Sequence, residues 1–414
     1  MVRLRDFGID EWGRGPETVS MLVGPNGSGK SRLLLEIAKR YRFERNVTII
    51  CNTPHDRFAG LRRPKRMSVG RVDQSPKAIV KRAVSDALDV GSAFHQISSI
   101  LLHCGYRPRF GFRIDPGHRY GISFGDLHDA ENIDLSEELM ARHGVREDDE
   151  QLHIALEFLQ RHDSQMPIWI DATETVLRFS QSREFSSVLK RENKLRRWGI
   201  IEGVSVYLER DDDSVEIEMH HASSGQLALI SSLLFLITNV GENPLIIIDE
   251  PENSLHPKWQ REYVEKVLAA MTYRGANLLI ATHAPLVVTG ALADFPDMVS
   301  VYEVRDGIAQ RLELDSKVSP SSIEEVLWRA FDVVTPANHF VSEQIVAAIS
   351  RFEKREIEKG EVLDLVNRLD SESFDDKQKR FFRAVKELIN KVEAARDGRS
   401  DDESDDDAEP REDD

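Results

Sequence analysis

The chain has 414 residues, 40% hydrophobic and 31% charged, long enough to bury a large core and too polar overall for a membrane protein. No apolar run reaches the roughly 18 to 20 residues of a membrane span, and the N-terminal MVRLRDFGIDEW lacks the apolar segment of a signal peptide, so a cytoplasmic protein without a membrane partner is expected. The formal charge is −17, and Asp397 to Asp414, with eleven acids against two arginines, carries about half of it, which marks a disordered acidic tail and argues against non-specific coating of nucleic acid.

In chain order, Val2 to Phe7 is a short strand candidate, followed by a turn-rich stretch around Gly13 to Pro16. Val19 to Val23 is apolar and runs into GPNGSGKS, Gly24 to Ser31, which matches G-x-x-x-x-G-K-[ST] and is followed by RLLLEIAKRY with apolar residues at helical spacing. In a strand, loop and helix of this kind, Gly24, Pro25, Asn26, Gly27, Ser28 and Gly29 curl the backbone so that successive N–H groups face a phosphate chain. The helix N-terminus, Lys30 to Arg32, adds its dipole. Lys30 reaches the β- and γ-phosphates, and Ser31 ligates Mg2+. Val47 to Ile50 is the next strand. A basic stretch, Arg57 to Arg71, then carries Arg62, Arg63, Lys65 and Arg66 without an intervening acid, and reads either as a phosphate-contacting loop or as a solvated surface. Cys51 and Cys104 stand far apart without ligand spacing and read as core fillers in a reducing compartment, with no zinc site.

Helices are expected over Lys77 to Val90, Ser92 to His103, Leu135 to Arg142 and Glu150 to Arg161, with a hairpin over Arg107 to Phe124 turned at Asp115 to Gly117. Ser182 to Trp198 is a second basic stretch. Gly203 to Leu208 and Ser214 to Met219 form a hairpin whose three tip acids, Asp211 to Asp213, read as a solvated turn. It leads into HHASSGQLALISSLLFLI, where Ser223, Ser224, Gly225 and Gln226 open a strongly apolar helix and favour an anion. LIIIDEPENSLH, Leu245 to His256, is a buried strand that presents Asp249 and Glu250 at its tip and then enters a polar loop. After a helix from about Lys258 to Met271, a strand over Ala276 to Ala281 ends in THAP with His283 at its tip. Met298 to Val304 and Ile308 to Leu314 close the sheet as a hairpin, and Ser321 to Ala395 is helical with mixed charge.

GPNGSGKS, SSGQ, IIIDEPENSLH and ATHAP, in that order, resemble the ABC-type ATPases of the SMC, RecF and double-strand-break-repair group. More narrowly, they resemble the stand-alone "AAA" ATPases of antiphage systems, the OLD-like and Septu (PtuA) proteins among them, over residues 1 to about 315. The resemblance implies an α/β P-loop NTPase of ABC/SMC-head type with a mixed sheet, a mostly helical insertion and a helical C-terminal region. It makes Gly24 to Ser31 the Walker A loop and Asp249 the Walker B carboxylate that positions Mg2+. Glu250 becomes the carboxylate that activates the attacking water, and His283 the switch residue that senses the γ-phosphate. Ser223, Ser224, Gly225 and Gln226 resemble the signature loop that reaches ATP from a second subunit; Asn253, Ser254, Leu255 and His256 resemble the D-loop at that interface. ASSGQ departs from the transporter-like LSGGQ at Ser224. No Q-loop glutamine is placed, Asn52 and Gln74 being the candidates.

The organisation expected is an ATPase lobe over 1–55, an insertion over 56–198, the rest of the ATPase core over 199–315, a helical region over 316–396 and the tail over 397–414. The function expected is that of a Mg2+-dependent ATPase that forms a homodimer or higher homo-oligomer around ATP and controls an effector protein, a nuclease, in antiphage defence. It has no nuclease site of its own, because the region after His283 lacks the acid-bearing βα units of a Toprim domain. Two alternatives stand beside it: a DNA-repair or chromosome-maintenance ATPase that contacts nucleic acid through its basic stretches, Arg62, Arg63, Lys65 and Arg66 foremost, and a scaffold that binds ATP without hydrolysing it.

Overall fold

The computed structural model describes residues 3–13, 15–53, 55–68, 75–90, 94–117, 150–163, 166–172, 182–271, 274–312, 339–371 and parts of 382–393. Gln74, the far arm of the hairpin expected over Arg107 to Phe124, the helix expected at Leu135 to Arg142 and the acidic tail lie outside these residues. The strands are β1 (Thr18–Val23), β2 (Val47–Cys51), β3 (Lys65–Ser68), β4 (Tyr106–Pro116), β5 (Ile168–Asp171), β6 (Ile201–Arg210), β7 (Glu216–Glu218), β8 (Leu245–Asp249), β9 (Asn277–Ala281), β10 (Val299–Arg305) and β11 (Ile308–Arg311). The helices are α1 (Lys30–Tyr41), α2 (Pro76–Val90), α3 (Phe94–His103), α4 (Glu150–Arg161), α5 (Ser182–Arg197), α6 (Ser224–Asn239), α7 (Pro257–Ala270), α8 (Pro285–Asp294), α9 (His339–Glu353) and α10 (Lys359–Ser371).

Seven strands form a mixed sheet in the order β11-β10-β1-β9-β8-β2-β3, parallel throughout except for the β10–β11 hairpin. The runs TVSMLV, LIIID and NLLIA lie at its centre because they are apolar on both faces, as a sheet covered on two sides requires. Val19, Met21, Val23, Ile246, Ile248, Leu278 and Ile280 enter one core; Leu22, Leu245, Ile247, Leu279 and Ala281 enter the other, where they meet Leu33, Leu34 and Ile37 of α1. Parallel strands also end on one side. Cys51 pairs with Asp249 and Asp249 with Ala281, so the chain leaves β1, β2, β8 and β9 at neighbouring points, the crevice at which α/β sheets bind ligands.

Most of the described residues of the interval 56–198 are helical, in α2 to α5, and β4 and β5 join a second, antiparallel sheet in the order β5-β4-β6-β7. Phe110, Phe112 and Ile114 of β4 and Val204, Val206 and Leu208 of β6 share one continuous core with the main sheet. Two local expectations need correcting. Where a strand is expected over Val2 to Phe7, Leu4–Phe7 is a 3-10 turn, closed by the Arg3 N–H donating to Asp6 Oδ2 at 2.8 Å and ended by Gly8 at φ +69°. The alternation of Leu4 and Phe7 with polar neighbours over six residues does not separate the two conformations. The first arm of the hairpin expected over Arg107 to Phe124 is β4, which pairs with β5 and β6 from distant sequence and carries register irregularities between Tyr106 and Phe110 and between Asp115 and Pro116. Within the basic stretch, Lys65–Ser68 is an edge strand and not a loop. Beyond β11, α9 and α10 pack with Phe382, Val385 and Ile389 around a third core of their own.

Candidate nucleotide site

The loop Gly24 to Gly29 leaves β1 and enters α1 at Lys30. Gly29 sits at φ +100°, and a Cβ there would lie 2.9 Å from Gly307 Cα in the β10–β11 turn, whose Gly307 N–H donates to Ser28 O at 2.8 Å. The hairpin expected only to close the sheet therefore also clasps the glycine loop. Pro25, Asn26 and Gly27 are exposed, and Lys30 is buried, its Nζ donating to Gly24 O at 2.7 Å and Pro25 O at 3.1 Å. Burial lowers the Lys30 pKa, and Glu250, Glu252 and Asp249 oppose that shift, so three carboxylates share the field of this ammonium.

Ser31 Oγ donates to Asp249 Oδ1 at 2.9 Å, a contact across 218 positions of sequence. Asp249 is 2% exposed, and burial pushes its carboxyl up to about 6, with the Ser31 hydrogen bond pulling down and the neighbouring Glu250 adding to the rise. Glu250 has a left-handed backbone, φ +53°, uncommon for a non-glycine residue, and its N–H donates to Ala281 O at 2.9 Å. Its Oε2 accepts from Asn253 Nδ2 at 3.0 Å, and the same Nδ2 lies 3.2 Å from Asn52 O. Asn52, at the exit of β2, is 5% exposed and donates its N–H to Asp249 O at 3.1 Å.

Glu252 is the site residue that sequence reasoning missed. It is 6% exposed, and its Oε1 accepts from the His283 N–H at 2.7 Å and lies 2.9 Å from His283 Nδ1. The His283 side chain itself is half-exposed. The only sequence signal was a third acid three residues after Asp249, behind Pro251. The loop that follows alternates: Asn253 and Leu255 turn inward, while Ser254, at φ +69°, and His256 are exposed. His256 caps α7, its Nδ1 accepting from the Lys258 N–H at 3.3 Å.

At the start of α6, Ser223 Oγ accepts from the Gln226 N–H at 3.2 Å and Gln226 Oε1 from the Ser223 N–H at 3.1 Å, a reciprocal cap. Ser223 and Ser224 are exposed, and Gly225 is buried: a Cβ there would lie 2.5 Å from Ser254 O. The signature-like and D-loop-like segments thus touch within one chain. They stand apart from Lys30 and Asp249 in the hydrogen-bond pattern, and no bond between Ser223–Gln226 and Gly24–Ser31 is present among the described residues. Of the basic residues singled out, Arg62 and Arg63 are exposed, with Arg63 over the Phe43 ring at 4.9 Å. Arg66 is used internally, paired with Asp56 at 3.2 Å and donating to Phe58 O, and Lys65 donates to Asn239 O at 2.9 Å. These bonds tie the edge strand to Asn239, Asp56 and Phe58, while the Lys65 side chain stays exposed. Arg57 and Arg32, with Glu36, Asp306 and the Gly27–Gly29 backbone, line a cleft of about 510 Å3 beside the glycine loop.

Residues 117–289 match the family described as "AAA domain, putative AbiEii toxin, Type IV TA system". That span includes the segments of α6, β8 and β9 and leaves out the glycine loop. The chain is 28% identical over 149 residues, 33% of its length, to "Retron Vc95 probable ATPase" of Vibrio cholerae serotype O1 biovar El Tor, and 26% identical over 141 residues, 31% of its length, to "Protein ea59" of Escherichia phage lambda. These matches span 28% and 25% of the two relatives' own lengths. Among solved structures, the Smc head domain of Pyrococcus furiosus bound to the C-terminal domain of ScpA aligns over 73% of this chain and 90% of that one, with 11% identity and a TM-score of 0.27. VirB4 of Thermoanaerobacter pseudethanolicus aligns over 79% and 84%, with 12% identity and a TM-score of 0.27. The chain has an α/β fold of the P-loop NTPase type and is similar in sequence to AAA-type ATPases.

Proposed function

We propose that the protein is a Mg2+-dependent ATPase that dimerises around ATP and, through that dimer, controls a partner effector, a nuclease, in antiphage defence. The observation that carries the ATPase reading is the convergence of Lys30, Ser31, Asp249 and Glu250 at the ends of β1 and β8, with Ser31 Oγ and Asp249 Oδ1 2.9 Å apart. A hydroxyl and a buried carboxylate at that spacing fit Mg2+, which keeps waters and phosphate oxygens as its other ligands and needs no all-protein cage. The loop fits the phosphates as well: Ser28 Oγ is buried and finds no partner among the described residues.

In this reading Ser31 and Asp249 hold the metal, and Gly24 to Arg32 hold the phosphates by backbone N–H groups and Lys30. Bound Mg2+·ATP supplies the electrophilic γ-phosphorus and neutralises charge on its oxygens. Glu250 orients a water and takes its proton, with Asn253 fixing one of its oxygens. Glu252 holds His283 by two bonds, so that the ring meets the γ-phosphate side with Nε2. Ser223 to Gly225 cover the nucleotide of a second protomer, and Ser254 and His256 meet that protomer's glycine loop. The exposure of Ser223, Ser224, Ser254 and His256 supports their use in such a contact. On the C-terminal helices, Val346 and Leu388 are 66% and 48% exposed, which supports that region as the dock for the effector.

Phosphate release and nucleotide binding test the reading. Lys30→Ala should weaken ATP binding by about tenfold or more, the cost of one charge-assisted phosphate contact, and Glu250→Gln should keep binding and lose turnover. Undiminished ATP affinity in Lys30→Ala would remove the assignment of the glycine loop.

A further inference from the structure

The N-terminus of α6 is fastened from outside the main sheet. Gln226 uses its whole side-chain amide: Oε1 accepts from the Ser223 N–H at 3.1 Å and from the Tyr106 hydroxyl at 2.8 Å, and Nε2 donates to Cys104 O at 2.9 Å. The bond to Ser223 is a local cap, which ties the helix only to itself. The bonds to Tyr106 and Cys104 O are tertiary, spanning 120 and 122 positions, and they set where the helix end points. Tyr106 and Cys104 are each 3% exposed, and with Ser223 and Gln226 they line a cleft of about 550 Å3, so the anchor is part-buried.

The same junction reaches a second part of the proposed interface. His103, the last residue of α3, places Nε2 3.1 Å from Glu262 Oε2 on α7, the helix that leaves the Asn253–His256 loop. Gly225 meanwhile packs directly on Ser254 O. Three residues of the inserted lobe, His103, Cys104 and Tyr106, therefore meet α6 at the signature-like loop and α7 beyond the Asn253–His256 loop, and none of them contacts the glycine loop by a hydrogen bond among the described residues. We infer that Tyr106 is a positioning residue for the signature-like loop, and that the α3–β4 junction is the contact through which the 56–198 lobe sets the half of the site offered to a partner protomer. The inference rests on the reading that Ser223 to Gln226 engage the nucleotide of a second chain.

Tyr106→Phe removes one hydroxyl and keeps the ring, leaving the local cap intact. A neutral hydrogen bond of this kind changes an equilibrium by roughly fivefold, and a symmetric dimer contains the junction twice, so the ATP-dependent dimer should weaken by about tenfold or more. The experiment uses the full chain carrying Glu250→Gln, with dimer dissociation measured by sedimentation in Mg2+·ATP and protomer affinity measured with a fluorescent ATP analogue. The expected result is a weakened dimer with unchanged protomer affinity and a melting temperature lowered by no more than about 2 °C, together with a Tyr106→Phe/Gln226→Met pair that is no weaker than Gln226→Met alone. Equal dimer affinity with and without Tyr106→Phe, or additive effects in the pair, overturns the inference. A parent that binds ATP and stays monomeric removes the sandwich reading itself, and the inference with it. Where Tyr106→Phe does not fold, Gln226→Met, which matches the side chain in length and removes all three bonds, carries the same comparison.

Discussion

Asp249 and Glu250 are adjacent in sequence and opposite in circumstance. Asp249 is sealed at the end of a buried strand, and burial lifts its carboxyl to about 6; Glu250, one residue on, has turned left-handed into the crevice and is held by Asn253. The folded pKa of Asp249 lies above the ordinary value of 3.8, so the protonated form is favoured by folding. Its stabilising contribution is present below about pH 4 and is lost as pH rises through about 6. A metal ion needs the other form and must displace the proton below that value. Mg2+ affinity in the nucleotide complex should therefore be level above pH 7 and fall about tenfold per unit below pH 6, after allowance for protonation of ATP itself. A titration of Mg2+ at pH 5.0 and 7.5 reads this directly, and equal affinities would remove Asp249 from the metal. Glu252 makes a separate claim. Glu252→Gln keeps the shape and discharges the bond to His283, and a charge-assisted bond of this kind is worth about 1.5 to 3 kcal/mol. Turnover should fall by roughly tenfold to a hundredfold while ATP affinity changes little; unchanged turnover would reduce Glu252 to a core fixture.

Elements were legible where the signal was local. The strand, glycine loop and helix around Gly24 to Ser31 and the strand before Asp249 follow from β-branched runs, glycines and helical spacing within a dozen residues. The α4 helix lies at Glu150–Arg161, and α2 and α7 begin one residue before the expected starts. What local pattern could not reveal is pairing at a distance. The partners of β4 lie about 60 and 95 residues away, the Glu252–His283 pair spans 31 positions, and the Tyr106–Gln226 bond spans 120. Gly225 illustrates the same limit: in sequence it is one glycine in SSGQ, and in the fold it lies against the Ser254 carbonyl with no space for a Cβ. A Cβ at 2.5 Å from a backbone oxygen forces one segment to shift, a strain of about 1 to 3 kcal/mol. Gly225→Ala should keep the ATP affinity of the protomer within twofold and lower turnover by about tenfold, as measured by equilibrium binding and phosphate release on one preparation. Wild-type turnover in Gly225→Ala would mean that the contact between the two segments has no part in catalysis.

At the scale of the molecule, two sheets share one core, and the inserted lobe is continuous with the ATPase body. The α9 and α10 region has a core of its own, which makes it the part most able to be addressed by a partner without disturbing the crevice. No helix among the described residues is long and apolar enough to cross a membrane. The division of labour in the crevice gives the account its central claim. Lys30, Ser31, Asp249, Glu250 and His283 gather at one set of strand ends, whereas Ser223 and Ser224 stand exposed at another helix end and make no hydrogen bond to the glycine loop among the described residues. On the proposed reading one chain supplies half of each site, and two chains close it. The direct measurement is the mass in solution of Glu250→Gln with Mg2+·ATP, by light scattering on a sizing column with bound nucleotide counted in the same peak. The account predicts the mass of two chains with one ATP per chain, reverting to one chain without nucleotide; a single chain with ATP bound would contradict it.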